Sequence, residues 1–231
     1  MLRHLTTRAL AGLLLTTCAV AEGPQPVVQA LPADGAWATY HVDLKVEQQE
    51  WTFEWLFRSV GREQVSGIDC RWLEFEERNS DAERPQQVFK LLIPEGDFGP
   101  NRHPLAAPRR ILYRRNPGDS VREVATITEA DILLPFLLAG ITGSSEKAAE
   151  PGHIDWSQGR LEGTVYTGSS TATLGTANIT ITHRQLRSDS VPFGFGQISQ
   201  EWLVNTDADE LNARIELTIK EAGTDAESVL K

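Results

Sequence analysis

Hydrophobic and polar residues alternate with a period of two at the start of the folded part of the chain. Ala38, Tyr40, Val42, Leu44 and Val46 fall on one side of an extended segment, with Thr39, His41, Asp43 and Lys45 on the other. Such alternation places one face of a β-strand against a core and leaves the other in water. Trp51, Phe53, Trp55 and Phe57 repeat the pattern against Thr52, Glu54 and Arg58. After the turn from Gly61 to Gly67, Leu73 and Phe75 mark a strand over 68–77, and Val88 to Ile93 forms another before Pro94 stops it. Four strands at short spacing predict an antiparallel meander.

The middle of the chain reads differently. Leu105, Pro108, Ile111 and Leu112 recur at helical spacing, and Asn116-Pro117-Gly118 ends that run. Thr128 followed by Asp131 suggests a capped helix start, and Ile132 to Ile141 is almost continuously apolar. A helix apolar all round must be buried, and this one is too short to cross a membrane, which takes about 20 residues. Strands return at Gly163–Thr167, Ile179–Ile181, Ile198–Val204 and Ile215–Ile219, with Ser169 to Gly175 read as a polar connector. The expected fold is mainly β (α+β): a curved antiparallel sheet or half-barrel of about eight strands. A helical insertion at about 104–141 would pack on its inner face. Residues 35–222 form that single domain, and 223–231 a C-terminal tail.

The N-terminus has the three parts of an export signal. Arg3, His4 and Arg8 are the positive start, Ala9 to Leu15 the apolar stretch, and Ala19-Val20-Ala21 the small-residue site before a signal-peptidase cut. Residues 1–21 are therefore read as a signal peptide and 22–34, with Pro24, Pro26 and Pro32, as an extended leader. A second cut competes with the first. Leu15-Thr16-Thr17-Cys18 resembles a bacterial lipobox, although Thr17 departs from the small residue usual there; lipidation of Cys18 would anchor the chain to a membrane. Either cut leaves Cys70 alone in the exported body, so no internal disulfide forms there and the fold relies on its core. Cys70 sits in an apolar strand pattern that suits a buried, inert thiol. The export address is periplasmic or extracellular.

Charge and motifs exclude several functions. Thirty-two Asp and Glu outnumber 22 Lys and Arg, and the net charge of −10 disfavours a nucleic-acid partner. Ser144-Ser145-Glu146-Lys147 has the S-x-x-K form, but no K-T-G follows, and the exported chain has no G-x-S-x-G elbow and no H-E-x-x-H pair. Asn205, Asp207, Asp209 and Glu216 imitate a calcium loop, yet Glu210 stands where glycine permits the sharp turn. His41, His103, His153 and His183 are scattered. No enzyme activity, metal or cofactor is expected.

Two features remain as binding candidates. Arg102, Arg109, Arg110, Arg114, Arg115 and Arg122 cluster in the middle segment. They could meet phosphate or carboxylate groups, or pair with the acidic stretch from Glu74 to Glu83. The stripe Trp51, Phe53, Trp55 and Phe57 could line a cavity with Leu133, Leu134, Phe136 and Leu137, or simply be core.

Lys90-Leu91-Leu92-Ile93-Pro94-Glu95, followed later by Asp189-Ser190-Val191-Pro192-Phe193-Gly194, resembles a group of uncharacterised exported bacterial proteins that keep these motifs in the same order. The resemblance spans residues 35–220. More distantly, the layout is similar to the outer-membrane lipoprotein carrier family, whose half-barrel holds helices over an apolar cavity for acyl chains. Neither resemblance brings catalytic residues. The first reading is thus an exported envelope protein that shelters an apolar or amphiphilic, lipid-like ligand between sheet and helix. Trp55, Phe57, Leu134 and Leu137 would line the cavity, and Arg109, Arg110 and Arg114 would meet an anionic headgroup at its mouth. The alternative is a non-catalytic structural or protein-interaction module of the envelope, with another envelope protein as partner.

Overall fold

A computed structural model describes residues 30–78, 86–99, 104, 107–125, 145–174, 177–206 and 209–230. Its strands are β1 (Trp37–Val46), β2 (Gln49–Val65), β3 (Ile68–Arg78), β4 (Val88–Pro94), β5 (Arg110–Arg114), β6 (Arg122–Glu123), β7 (Ser145–Trp156), β8 (Gly159–Leu174), β9 (Ala177–Arg187), β10 (Phe195–Asn205) and β11 (Glu210–Gly223). They form one sheet in the order β6-β5-β4-β3-β2-β1-β11-β10-β9-β8-β7, every pair antiparallel. Two meanders, one from each half of the chain, are joined where β1 pairs with β11. The order is open, with β6 and β7 at its ends.

The sheet curls. Ser157 and Gln158, at the β7–β8 turn, hydrogen-bond to the carbonyls of Lys220 and Ala222 on β11, although β10, β9 and β8 lie between them in the sheet. The inner face carries the main core. Tyr40, Val42 and Leu44 of β1 continue into Phe53, Trp55 and Phe57 of β2, then Leu73 and Phe75 of β3, Phe89 and Leu91 of β4, and Ile111 and Tyr113 of β5. Ile215, Leu217 and Ile219 extend it through β11 to Ile198 and Trp202 of β10. The period-two alternation thus defines the inner side of the strands it predicted.

The helical insertion expected at about 104–141 is corrected where it can be seen. Arg110–Arg114 is strand β5, and among the described residues the longest helical element is the 3-10 turn Glu95–Asp97. The residues of β5 also alternate: Ile111 and Tyr113 point inward, Arg110, Leu112 and Arg114 outward. In isolation that pattern competes with a helical one. The open edge of β4 decides the outcome by offering ladder partners, with Leu91 opposite Ile111 and Phe89 opposite Tyr113. The Phe89 and Tyr113 rings lie 4.8 Å apart. The apolar run 132–141 lies outside the described residues. Among the described residues the expected eight strands become eleven because β5, β6 and β7 were not anticipated, and the Ser169–Gly175 connector is largely part of β8, paired with β9. Ser, Gly and Ala are weak strand signals that dilute the threonines here, and the ladder with β9 makes this stretch extended.

A smaller cluster lies on the outer face, where Val60, Cys70, Trp72 and Leu92 are buried beneath Ala226 of the C-terminal segment. Both ends of the described chain meet there. Gly35 N–H donates to the Ser59 carbonyl and Ala226 N–H to the Gly35 carbonyl, both at 2.8 Å.

Candidate functional site

The inner face beneath β1–β3 is packed by the protein's own rings. Phe57 is fully buried, and its ring centroid lies 4.8 to 6.2 Å from those of Tyr40, Trp55, Phe75, Phe193 and Phe195. Phe193 comes from the β9–β10 connection and Phe195 from the first position of β10. That loop is narrowed by hydrogen bonds from Ser188 N–H to the Gly194 carbonyl and from Gly194 N–H to the Val191 carbonyl. Gly194 turns the chain at φ +79°, a conformation that suits glycine. The Val-Pro-Phe-Gly motif therefore drives Val191 and Phe193 into the sheet's hollow. Tyr40 stacks on Phe195 at 4.6 Å, and its hydroxyl donates to the Phe195 carbonyl; burial raises the Tyr40 pKa well above its usual value.

The candidate ligand residues divide between the two faces. Trp55 and Phe57 are inside the aromatic core. Arg110 and Arg114 project outward from β5, and Arg109 is exposed beside it. Arg110 makes a double hydrogen bond to Glu123 and approaches Glu63, while Arg114 donates to the Val229 carbonyl. A two-residue periodicity separates these side chains by the thickness of the sheet. Leu134 and Leu137 lie outside the described residues. Among the described residues, no three His, Cys, Asp or Glu side chains are grouped to hold a metal ion, and no helix is long and apolar enough to cross a membrane.

The outer face holds a constellation that the strand pattern concealed. Arg58, Glu74 and Lys90 stand in one row across β2, β3 and β4, because Arg58 is registered opposite Glu74 and Glu74 opposite Lys90. Reading each as the polar member of an alternating strand assigns them to solvent. Instead Arg58 is only 6% exposed and Glu74 is fully buried, paired at 2.8 Å. Arg58 also bonds Glu76. Burial opposes the Glu76 charge, but hydrogen bonds from Arg78 and Arg58 and their charges outweigh it and hold this carboxyl below its usual range.

Residues 224–230 cover this row. Glu74 accepts from Ser228 Oγ at 2.8 Å and from the Val229 and Leu230 amides at 3.2 Å. Lys90 Nζ donates to Ser228 Oγ at 2.8 Å and to the Leu230 carbonyl at 3.0 Å. Burial lowers the Lys90 pKa against the opposing pull of Glu74 and Glu63. Lys90 and Arg110 both face the Trp72 ring, at 5.1 and 5.6 Å, and Trp72 Nε1 donates to Glu63. Beside this seam an open depression of about 460 Å³ is lined by Asp34, Gly35, Val60, Gly61, Ala226, Glu227 and Ser228.

The Lys-Leu-Leu-Ile-Pro-Glu motif holds both ends of the described chain. Its Lys90 binds the C-terminal segment. Its Glu95 binds Arg71, which is 1% exposed and donates to the Pro32 carbonyl at 2.8 Å and to Ser59 Oγ at 3.0 Å. The leader expected at 22–34 is thus docked from Pro32 onward, where Asp34 also accepts from the Gly61 amide.

Neither a known protein family nor a curated protein matches this chain. Among solved structures, a Bacteroides fragilis protein with a YmcC-like fold is 7% identical, with 84% of this chain and 99% of that one covered and a TM-score of 0.38. A chain of the Pseudomonas aeruginosa MucA/MucB complex is 9% identical, with 87% and 96% covered and a TM-score of 0.20. A chain of MucB in complex with MucA(peri) is 10% identical at the same coverage and TM-score. Likenesses this distant do not establish a common fold.

Proposed function

We propose that this chain is an exported, non-catalytic protein of the bacterial envelope that works by binding another protein. The export signal read at residues 1–21 supports the location. The observation that carries the reading is the ring packing around Phe57: among the described residues, the space beneath Trp55 and Phe57, where an acyl chain was expected to lie, holds Phe193 and Phe195. Burying an apolar ligand there would first require expelling side chains whose own burial stabilises the fold by roughly 1.5–3 kcal/mol each. A protein with such an interior offers its surface and strand edges, and β7 provides a 12-residue edge strand.

The test is direct. The chain is purified from an exporting host, extracted with organic solvent, and examined by mass spectrometry beside an unrelated exported domain of similar charge. The expected result is no stoichiometric lipid and no uptake from anionic vesicles. Stoichiometric lipid absent from the control would overturn this reading in favour of a carrier.

A further inference from the structure

We propose that the outer face of β2–β5 is a peptide-binding site, held in cis by the chain's own Glu227–Leu230 and able to take an extended segment of the same chemistry from a partner. The inference rests on the protein-binding reading and names its site. Three observations lead to it.

First, the C-terminal segment is bound in the manner of a ligand. Beyond β11 it forms no regular structure and adds no strand to the sheet. It lies across the face, and the groups that hold it come mainly from β3, β4 and β5, far away in sequence.

Second, the site is built of buried charge. Glu74 is 0% exposed, and its two oxygens meet the Val229 and Leu230 amides and the Ser228 hydroxyl. Arg58 supplies the balancing charge beneath it, and Lys90 reaches the Ser228 hydroxyl and the Leu230 carbonyl. Such an arrangement satisfies a peptide backbone on both its donor and acceptor sides.

Third, side-chain identity counts at two positions and not at the one between them. Val229 remains 39% exposed, whereas Leu230 is buried and Ala226 packs on Trp72 and its neighbours. The chemistry selected is therefore a small hydroxyl residue, then any residue, then an aliphatic one, with both following amides free. A partner carrying that pattern in an unstructured segment could replace the tail. The tail competes at an effective concentration on the order of millimolar, so occupation in trans needs a tighter sequence or a loosened tail.

The experiment uses a fluorescein-labelled peptide with the sequence of Thr224–Lys231 and the full chain. In the Ser228→Ala, Leu230→Asp variant the tail is released, which faster hydrogen exchange at the residue 229 and 230 amides verifies. The peptide should bind this variant at least about tenfold more tightly than it binds the unaltered protein. A scrambled peptide should not bind, and adding Lys90→Met should weaken the interaction. Equal binding of both peptides, or no binding to a folded variant with a released tail, would overturn the proposal. If the variant does not fold, the unaltered chain is followed by hydrogen exchange under excess peptide. Faster exchange at the tail amides supports displacement, and unchanged exchange overturns it. Failure here removes the groove alone, whereas lipid in the extraction experiment removes the protein-binding reading.

Discussion

Replacing Phe57 with alanine tests whether the inner face is solid or hollow. Phe-to-Ala changes in close-packed cores cost about 3–5 kcal/mol, the larger values where neighbours cannot collapse into the space. Phe57 is fully buried among five rings contributed by β1, β2, β3, the β9–β10 connection and β10. Four of the five rings belong to ladder-paired strands, so relaxation is limited and a loss of about 4–5 kcal/mol is expected. For a domain of 150–250 residues that lowers Tm by roughly 8–20 °C. Phe53, with one ring neighbour at 6.2 Å, provides the contrast and should cost about 3 kcal/mol. The assay is urea unfolding followed by tryptophan fluorescence and far-UV circular dichroism, whose coincidence checks the two-state analysis. A double-mutant cycle with Phe193→Ala should return a coupling of about 0.5–1.5 kcal/mol, as expected for an edge-to-face pair. A Phe57→Ala loss below about 2 kcal/mol would refute the reasoning. So would a loss no greater than that of Phe53→Ala, because a side chain lining an open cavity has fewer contacts to lose.

Three further outcomes follow from the same geometry. Gly163→Ala would place a methyl group well inside van der Waals contact of the Arg187 carbonyl oxygen, so β8 and β9 must part; we expect a loss of at least about 2 kcal/mol, and stability within 0.5 kcal/mol of the parent would refute the packing. Burial pushes the Cys70 thiol up despite the nearby Arg109 charge, so in a Cys18→Ser chain at pH 7–8 it should resist thiol reagents until urea unfolds the protein; rapid labelling of the folded chain would contradict that. The Glu76 carboxyl is lower in the folded chain than its usual value of about 4.5, so its contribution to stability is complete above that value and is lost as pH falls through the lowered one. Urea midpoints measured from pH 6 to pH 3 should fall less steeply for Glu76→Gln than for the parent, and parallel curves would exclude the effect.

The opposite faces of β5 show where reading a linear pattern stops. Ile111 and Leu112 fit a helical stripe with Leu105 and Pro108, and they fit a strand equally well as parts of Arg-Ile-Leu-Tyr-Arg. No local property separates the two, and the open edge of β4 does. The same step placed Arg110 and Arg114 on the side of the sheet away from Trp55 and Phe57. Arg58, Glu74 and Lys90 were hidden for a related reason. Each looks like a solvated strand position, and their pairing exists only through a register that joins residues 16 apart in both directions.

Side-chain alternation by itself determined which face of β1, β10 and β11 carries the main core, and it marked the same side of β2 and β3, since period two leaves no freedom once one face must leave water. The apolar character of its strand anticipated that Cys70 is buried, and the missing N–H of Pro94 set the end of β4. Tertiary structure alone decided how many strands join the sheet, what fills its hollow, and which charges lie beneath the tail. Those outcomes depend on contacts between segments distant along the chain, where an edge, a ring or a carboxylate is available only after the rest has folded.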